Sequence, residues 1–384
     1  MKSLKNLQKK EKPVTPADQL VTKNDYRKNL KKWLLFLVSS LVATTIALVL
    51  NYTVTLKGED VFGTTQGIIA FLIMILLLIA AIAYSIVYFI ISLKYKYNDE
   101  GINKRNAAIA GFVAGFGDTI GVSSFALSTA TLKGTKNIKD DTKLPGTLNV
   151  AFAVSATIEA ALFVGAVKID LATLGILLVA VLIGTYFGSL LVTKIKDPKI
   201  VKIVMGVVLF VVGIFMIINN VGAIKISALG DPTSLIDENN IWRIIVGVIL
   251  FLFLGGVQSF GVGSSAPAIA GLSLLGMDMK YIFVIITSAA ALSMVPAAIN
   301  FIRKKQYMQL TSNMIQISSV FGAALAFSLI FVGLQAAIGK DNYEVFSKVL
   351  KWIGTAVIFY VSITMLVEYY LNIKKNKKAK VQTY

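Results

Sequence analysis

Two stretches of this chain carry residues for which a lipid-crossing helix has no use. Residues 115–124 read Gly-Phe-Gly-Asp-Thr-Ile-Gly-Val-Ser-Ser, and 140 positions later residues 255–264 read Gly-Gly-Val-Gln-Ser-Phe-Gly-Val-Gly-Ser. Each puts a polar pair, Asp118-Thr119 or Gln258-Ser259, three residues after a glycine, then turns through Gly121 or Gly261. Glycine accepts a positive φ without penalty, so these positions suit a tight turn. Ser123 and Ser124 in the first copy, and Gly263, Ser264 and Ser265 in the second, stand where the next arm of a hairpin begins, the place for N-cap hydroxyls. A half-helix that starts at mid-membrane offers unpaired N–H groups and roughly half a positive charge, enough to bind an anion. Two such starts facing each other hold a small anion without Lys or Arg, and no cation stands in the middle of an apolar block. Close helix packing is the other use of a Gly-Ser cluster. The matched second copy favours the binding role, since a duplicated interruption of apolar segments marks the site of secondary transporters.

Two carboxylates lie deep in apolar blocks, Asp118 and Glu159, whereas Glu368 is close enough to a helix end to reach water. A mid-membrane carboxylate costs about 2.5–3.5 kcal/mol on insertion scales, which makes each a candidate functional group. Asp118 either binds or braces the loop as a hydrogen-bond acceptor, the second role being the one its neutral counterpart Gln258 can share. Glu159, following Ser155 and Thr157, is the candidate to carry a coupling proton or sodium ion, with Asp118 as the alternative. The string Gly115-Phe116-Gly117-Asp118 also matches the Gly-x-Gly-Asp of intramembrane aspartyl proteases. That chemistry needs a second carboxylate to share a proton, and only Glu159 is available. Cys and His are both absent, which removes thiolate and imidazole metal sites, disulfides and His-assisted nucleophiles. Neither a metal nor another cofactor is expected.

The elements that must hold these residues are read from hydropathy. The chain of 384 residues is 56% hydrophobic, with a mean hydropathy of +0.75, far from an ordinary soluble domain. Apolar stretches long enough to span a bilayer run over 33–55, 63–93, 148–167, 171–193, 203–221, 281–302, 310–338 and 349–371. Two more blocks, 107–132 and 241–277, contain the motifs. The net charge of +18 comes from Lys and Arg in the first 32 residues, the tail and short loops, a positive-inside pattern unlike a nucleic-acid-binding domain. If each motif block enters and returns on one side, 30 of the 38 Lys and Arg fall on the inner side. Single crossings would leave only 25 there, so the re-entrant arrangement obeys the rule better.

The expected fold is therefore an all-α polytopic membrane protein with two inverted-topology repeats. Each repeat has one re-entrant or broken helix plus three crossings, and two extra transmembrane helices precede them. The expected parts are a basic cytoplasmic arm (1–32), the two additional helices (33–106), repeat 1 (107–221), an extracellular linker (222–240), repeat 2 (241–371) and a basic cytoplasmic tail (372–384). Both termini face the cytoplasm, and the chain sits in the cell membrane as a multi-pass protein. Its expected partners are the lipid bilayer and a small anion, with no nucleic acid.

The run Gly115 to Ala126, followed by Leu144-Pro145-Gly146-Thr147-Leu148-Asn149-Val150, resembles the sulfite exporter TauE/SafE family of membrane permeases. Gly261-Val262-Gly263-Ser264-Ser265-Ala266-Pro267 and Leu274-Leu275-Gly276-Met277 are similar to that family's second repeat. The resemblance covers about 105–371 and leaves out the arm and the first two helices. Many members carry a denser glycine run where this chain has Gly121-Val122-Ser123-Ser124. The resemblance implies secondary transport of small anions, chiefly sulfite, sulfonates and related organosulfur compounds, and no enzymatic activity. It adds Asn149 to the substrate-binding candidates. Another solute, a carboxylate or inorganic ion carried by a transporter or channel, is the alternative.

Overall fold

The structure, a computed structural model, describes residues 23–56, 62–94, 102–138, 143–166, 169–192, 233–258 and 263–338 except Asn239, with scattered residues of 203–221 and 348–373. Every regular element among them is helical. Unbroken apolar runs give α1 (Lys23–Leu50, continued by a π-helical turn over Asn51–Thr55), α2 (Thr65–Lys94), α5 (Leu144–Ala166), α6 (Leu171–Val192), α9 (Met279–Arg303) and α10 (Gln309–Ala326). A π-helical segment, Phe327–Leu334, prolongs α10 into α11 (Gln335–Ile338). Six of these stretches are long and apolar enough to cross a membrane, which makes this a polytopic membrane protein. The two further crossings expected at 203–221 and 349–371 lie mostly outside the described residues. Where both are described they touch: the Ser362 hydroxyl donates to the Gly206 carbonyl at 2.7 Å and the Asn220 amide to Thr355 Oγ1 at 2.9 Å. The arm before Lys23 and the tail after Ile373 also fall outside.

The motif blocks form short helices instead. They are α3 (Lys104–Thr119) with α4 (Ser124–Gly134), and α7 (Trp242–Gln258) with α8 (Ser265–Leu274). At 1.5 Å per residue none exceeds about 26 Å, short of the roughly 30 Å hydrocarbon core. Each pair is a hairpin closed at its base. The Asn103 N–H donates to Asn137 Oδ1 at 2.8 Å, and the Asn137 amide donates back to the Asn103 carbonyl at 3.1 Å. In the second pair the buried Arg243 Nε donates to the Leu275 carbonyl at 2.8 Å.

The two bases sit at opposite ends of the central helix α5. At one end the Met308 N–H donates to Thr147 Oγ1 at 2.9 Å, and α3 runs from that same end along α10, with Gly111 against Ile315 and Gly115 against Ser319. At the other, Gly247 near the start of α7 packs against Leu235, Leu177 and Leu275. Pairings follow an exchange pattern: α3 lies along α10, α7 along α6, and α5 along α9. Glycines set the first two contacts. A Cβ on Gly115 would strike the Ser319 backbone and one on Gly322 the Phe112 carbonyl; one on Gly255 would strike the Val181 carbonyl and one on Gly184 that of Leu252. Such seams need residues without side chains to bring backbones together. Outside this unit, α1 and α2 dock through aromatics: Trp33 meets Phe36, Tyr88 and Phe89 edge-on, and the Tyr84 hydroxyl donates to the Val150 carbonyl of α5 at 3.2 Å.

Asp170 caps α6, accepting the N–H groups of Ala172 and Thr173 and the hydroxyls of Thr173 (2.6 Å) and Ser234 (2.8 Å). Partial burial pushes its pKa up, but these donors outweigh that and hold it below the usual 3.8. A depressed native value means the stabilisation is complete above the ordinary carboxylate range and fades as pH falls through the native one. Asp170→Ala should thus cost about 1 kcal/mol at neutral pH. Thermal melts of the two proteins should converge once acid has protonated Asp170; a gap that persists there would refute this role.

Candidate functional site

The first motif turns at Gly121. The Gly121 N–H donates to the Asp118 carbonyl at 2.9 Å and the Val122 N–H to the Gly117 carbonyl at 2.8 Å, with Gly121 at φ 89°. These paired bonds and the left-handed glycine terminate α3 as a Schellman motif. The turn reverses the chain so that α4 starts beside the last residues of α3. Asp118 then reaches forward six residues, its Oδ2 accepting the Ser124 hydroxyl at 2.8 Å and its Oδ1 the Ser124 N–H at 3.3 Å. The second copy repeats this locally: Gln258 Oε1 accepts the Ser264 hydroxyl, also six residues on, at 3.0 Å.

The serines therefore act differently from the expectation. Ser124 and Ser264 donate their hydroxyls to the side chain ending the preceding helix, and Ser264 makes no side-chain cap to α8. The physical reason is that a carboxylate or amide oxygen held at the turn accepts the hydroxyl proton and fixes its rotamer, whereas a helix start offers N–H donors and cannot accept that proton. At the start of α4 the Asp118 carboxylate accepts the Ser124 N–H, and a negative group at a helix N-terminus is stabilising.

The two hairpins meet at these turns. The Ser265 hydroxyl, at the first residue of α8, donates to Asp118 Oδ1 at 3.3 Å across 147 positions of sequence. A Cβ on Gly263 would fall on the Ser123 hydroxyl, so the loops touch directly. Glu159, buried in α5, faces Thr119 and Asp118, and its Oε1 has no hydrogen-bond partner. The Thr119 hydroxyl is turned back to the Gly115 carbonyl at 3.0 Å. Apolar groups close one side. Gly121 abuts Ile269 and Phe283, and Phe283 belongs to a cluster with Phe163 (5.5 Å, stacked) and Phe331 (5.0 Å, edge-on).

Of the predicted residues, Asp118, Thr119, Gly121, Ser123, Ser124, Gly263, Ser265 and Glu159 come together, with the Gln258–Ser264 pair as the matching turn. Ser259 and Gly261 lie outside the described residues. Asn149 stands apart: it is ten residues before Glu159 on α5, about 15 Å along the axis, and its amide donates to the Pro145 carbonyl at 2.9 Å. The sequence reading missed Arg243 and the Asn103–Asn137 clasp. Their only signal was a polar residue at the edge of each motif block. Among the described residues no group of acidic side chains is placed to hold a metal ion.

Comparison with curated proteins and with solved structures gave no match. A family model does match, that of the sulfite exporter TauE/SafE, over residues 21–216. The match takes in α1 and α2, which the motif resemblance had left out, and ends before the second motif. It spans the first hairpin, Glu159 and their supporting helices, over half of the chain. An all-helical body of long apolar helices around a pair of short ones, matched over that same stretch, identifies this chain as a member of the sulfite exporter TauE/SafE family, a multi-pass membrane transporter.

Proposed function

We propose that the chain is a secondary transporter of small oxyanions, with sulfite, sulfonates and related organosulfur compounds as its substrate class. The carrying observation is the meeting of the two hairpin turns, where the Ser265 hydroxyl of α8 and the Ser124 N–H of α4 converge on one point occupied by a carboxylate oxygen. A point where two half-helix starts already satisfy one oxyanion is chemically suited to another. Asp118, Thr119, Gly121, Ser123, Ser124, Gln258, Gly263, Ser264 and Ser265 form or brace that site, and Glu159 or Asp118 carries a coupling proton or sodium ion. The Gly-x-Gly-Asp protease reading gains Glu159 as a near neighbour of Asp118. It is disfavoured because both Asp118 oxygens are engaged by serines and the family is one of permeases. Reconstituted into proteoliposomes, the full chain should exchange radiolabelled sulfite or a sulfonate in preference to carboxylates and inorganic cations. A preference for either of the latter would replace this substrate class.

The same reading makes residues 107–221 and 241–371 inverted repeats in the cell membrane, with both termini cytoplasmic. Support comes from hairpin bases at opposite ends of α5 and from the 30 Lys and Arg on the inner side. Single cysteines in this Cys-free chain report it directly. Lys136→Cys and Lys304→Cys should stay shielded from impermeant thiol reagents in intact cells, and Glu238→Cys, exposed at the opposite end, should react. Labelling of Lys136→Cys from outside would overturn the orientation.

A further inference from the structure

Asp118 already stands where a substrate anion would bind. Its two oxygens take the Ser124 N–H (3.3 Å), the Ser124 hydroxyl (2.8 Å) and the Ser265 hydroxyl (3.3 Å), donors drawn from the starts of both half-helices. Gln258, at the equivalent place in the second copy, carries no charge and takes one hydroxyl. The site thus contains one tethered negative group. Glu159 is the independent second feature. It is 1% exposed, it faces Asp118 from α5, and one of its oxygens is unpartnered.

Among the described residues no ion pair to Asp118 forms; on α9, Lys280 lies over the Tyr281 ring and Arg303 is in the last turn. On α3, Lys104 and Arg105 lie at the opposite end of the helix. On α4, Lys133 is in the last turn, paired with Glu368 at 3.7 Å. α8 and α10 contain no charged residue. Arg243 of α7 is held at the hairpin base by the Leu275 carbonyl. An anion entering this space while Asp118 and Glu159 were both ionised would be the third negative charge in a buried volume, a large penalty at low dielectric.

Resting on the proposed anion site, we propose that Asp118 is an internal competitor for the substrate: its carboxylate occupies the donors of α4 and α8 in the empty transporter and yields them, as a carboxylic acid, to the incoming anion. The proton comes from the aqueous phase on the side from which the anion enters. Asp118 carboxylate plus that proton gives the acid, and the anion takes over the N–H and hydroxyl donors. On the far side the anion leaves, the acid releases its proton to water, and the carboxylate returns to Ser124 and Ser265. One proton therefore crosses with each anion. Glu159, buried in α5 beside Asp118, is the second carboxyl of this space.

The test uses the full chain in proteoliposomes with radiolabelled sulfite. Asp118→Asn should abolish accumulation driven by a proton gradient yet retain sulfite exchange, with KM lowered about tenfold, the equivalent of one hydrogen bond to a charged group no longer contested. The ratio of wild-type to Asp118→Asn KM should rise with pH, as the carboxylate competes harder; sulfite's own protonation is common to both proteins and cancels. Glu159→Gln removes the neighbouring carboxyl and takes no donor from Asp118, so it separates the two candidates for the coupling proton. Ser265→Ala, which leaves the charge but removes one donor, covers the case in which Asp118→Asn does not fold: it should move the pH at which KM rises upward. A KM ratio independent of pH, or accumulation surviving in Asp118→Asn and lost in Glu159→Gln, would overturn the assignment. An unmoved Ser265→Ala profile would do the same. Absence of sulfite exchange in the wild type would instead bring down the anion-site reading, and this inference with it.

Discussion

Gly121→Val will abolish transport while the protein still inserts into the membrane. Gly121 sits at φ 89°, a region that costs an L-residue about 1–2 kcal/mol and suits a β-branched one least. An added Cβ would stand 2.6 Å from Ile269 Cδ1 and 3.4 Å from the Phe283 ring. Overpacking of that kind adds about 1–3 kcal/mol. The combined penalty of roughly 2–5 kcal/mol falls on the turn that places Asp118 against Ser124 and Ser265. Sulfite uptake in proteoliposomes should vanish, and the melting temperature in detergent should drop. Gly121→Ala pays the backbone cost but pushes only the flexible tip of Ile269, so it should retain part of the activity. Wild-type uptake in Gly121→Val would show that the turn has no role in binding.

The second large effect concerns the seams. A side chain at Gly115 would meet the Ser319 carbonyl of α10, and one at Gly255 the Val181 carbonyl of α6. Backbone inside a helix cannot swing aside as a side-chain tip can, so the helices must separate and lose their contact. Gly115→Val and Gly255→Val should each destabilise by about 3 kcal/mol, the upper part of the overpacking range. Gly134→Ala and Gly175→Ala are the controls. Neither Cβ would meet an atom within 4 Å, and removing a helical glycine should stabilise by about 0.5–1 kcal/mol. Denaturation of the four purified variants in mixed micelles measures this. Equal stabilities across the set would show that close approach is not what these glycines provide.

Glycine spacing thus carried two meanings that one-dimensional reading merges. Gly115 and Gly121 occur in one motif six residues apart, yet the first opens a helix seam and the second makes a left-handed turn. Only their surroundings separate the roles. The same holds for the serines: a hydroxyl at the start of a helix reads as a cap acceptor, but a carboxylate or amide six residues earlier turns it into a donor.

By itself the sequence determined the membrane character, the six long apolar helices and the breaks in the two motif blocks, which fold as short helices. Hydropathy and charge placement are sums over neighbouring residues, and lipid enforces them locally. The tertiary structure alone decided that Asp118 links both hairpins through Ser265, that Glu159 faces it, that Asn149 stands apart, and that Arg243 closes the second hairpin. Those contacts join residues far apart in the chain or separated by helix turns. Their partners are chosen by how glycine seams bring α3 to α10 and α7 to α6, a choice that no local pattern records.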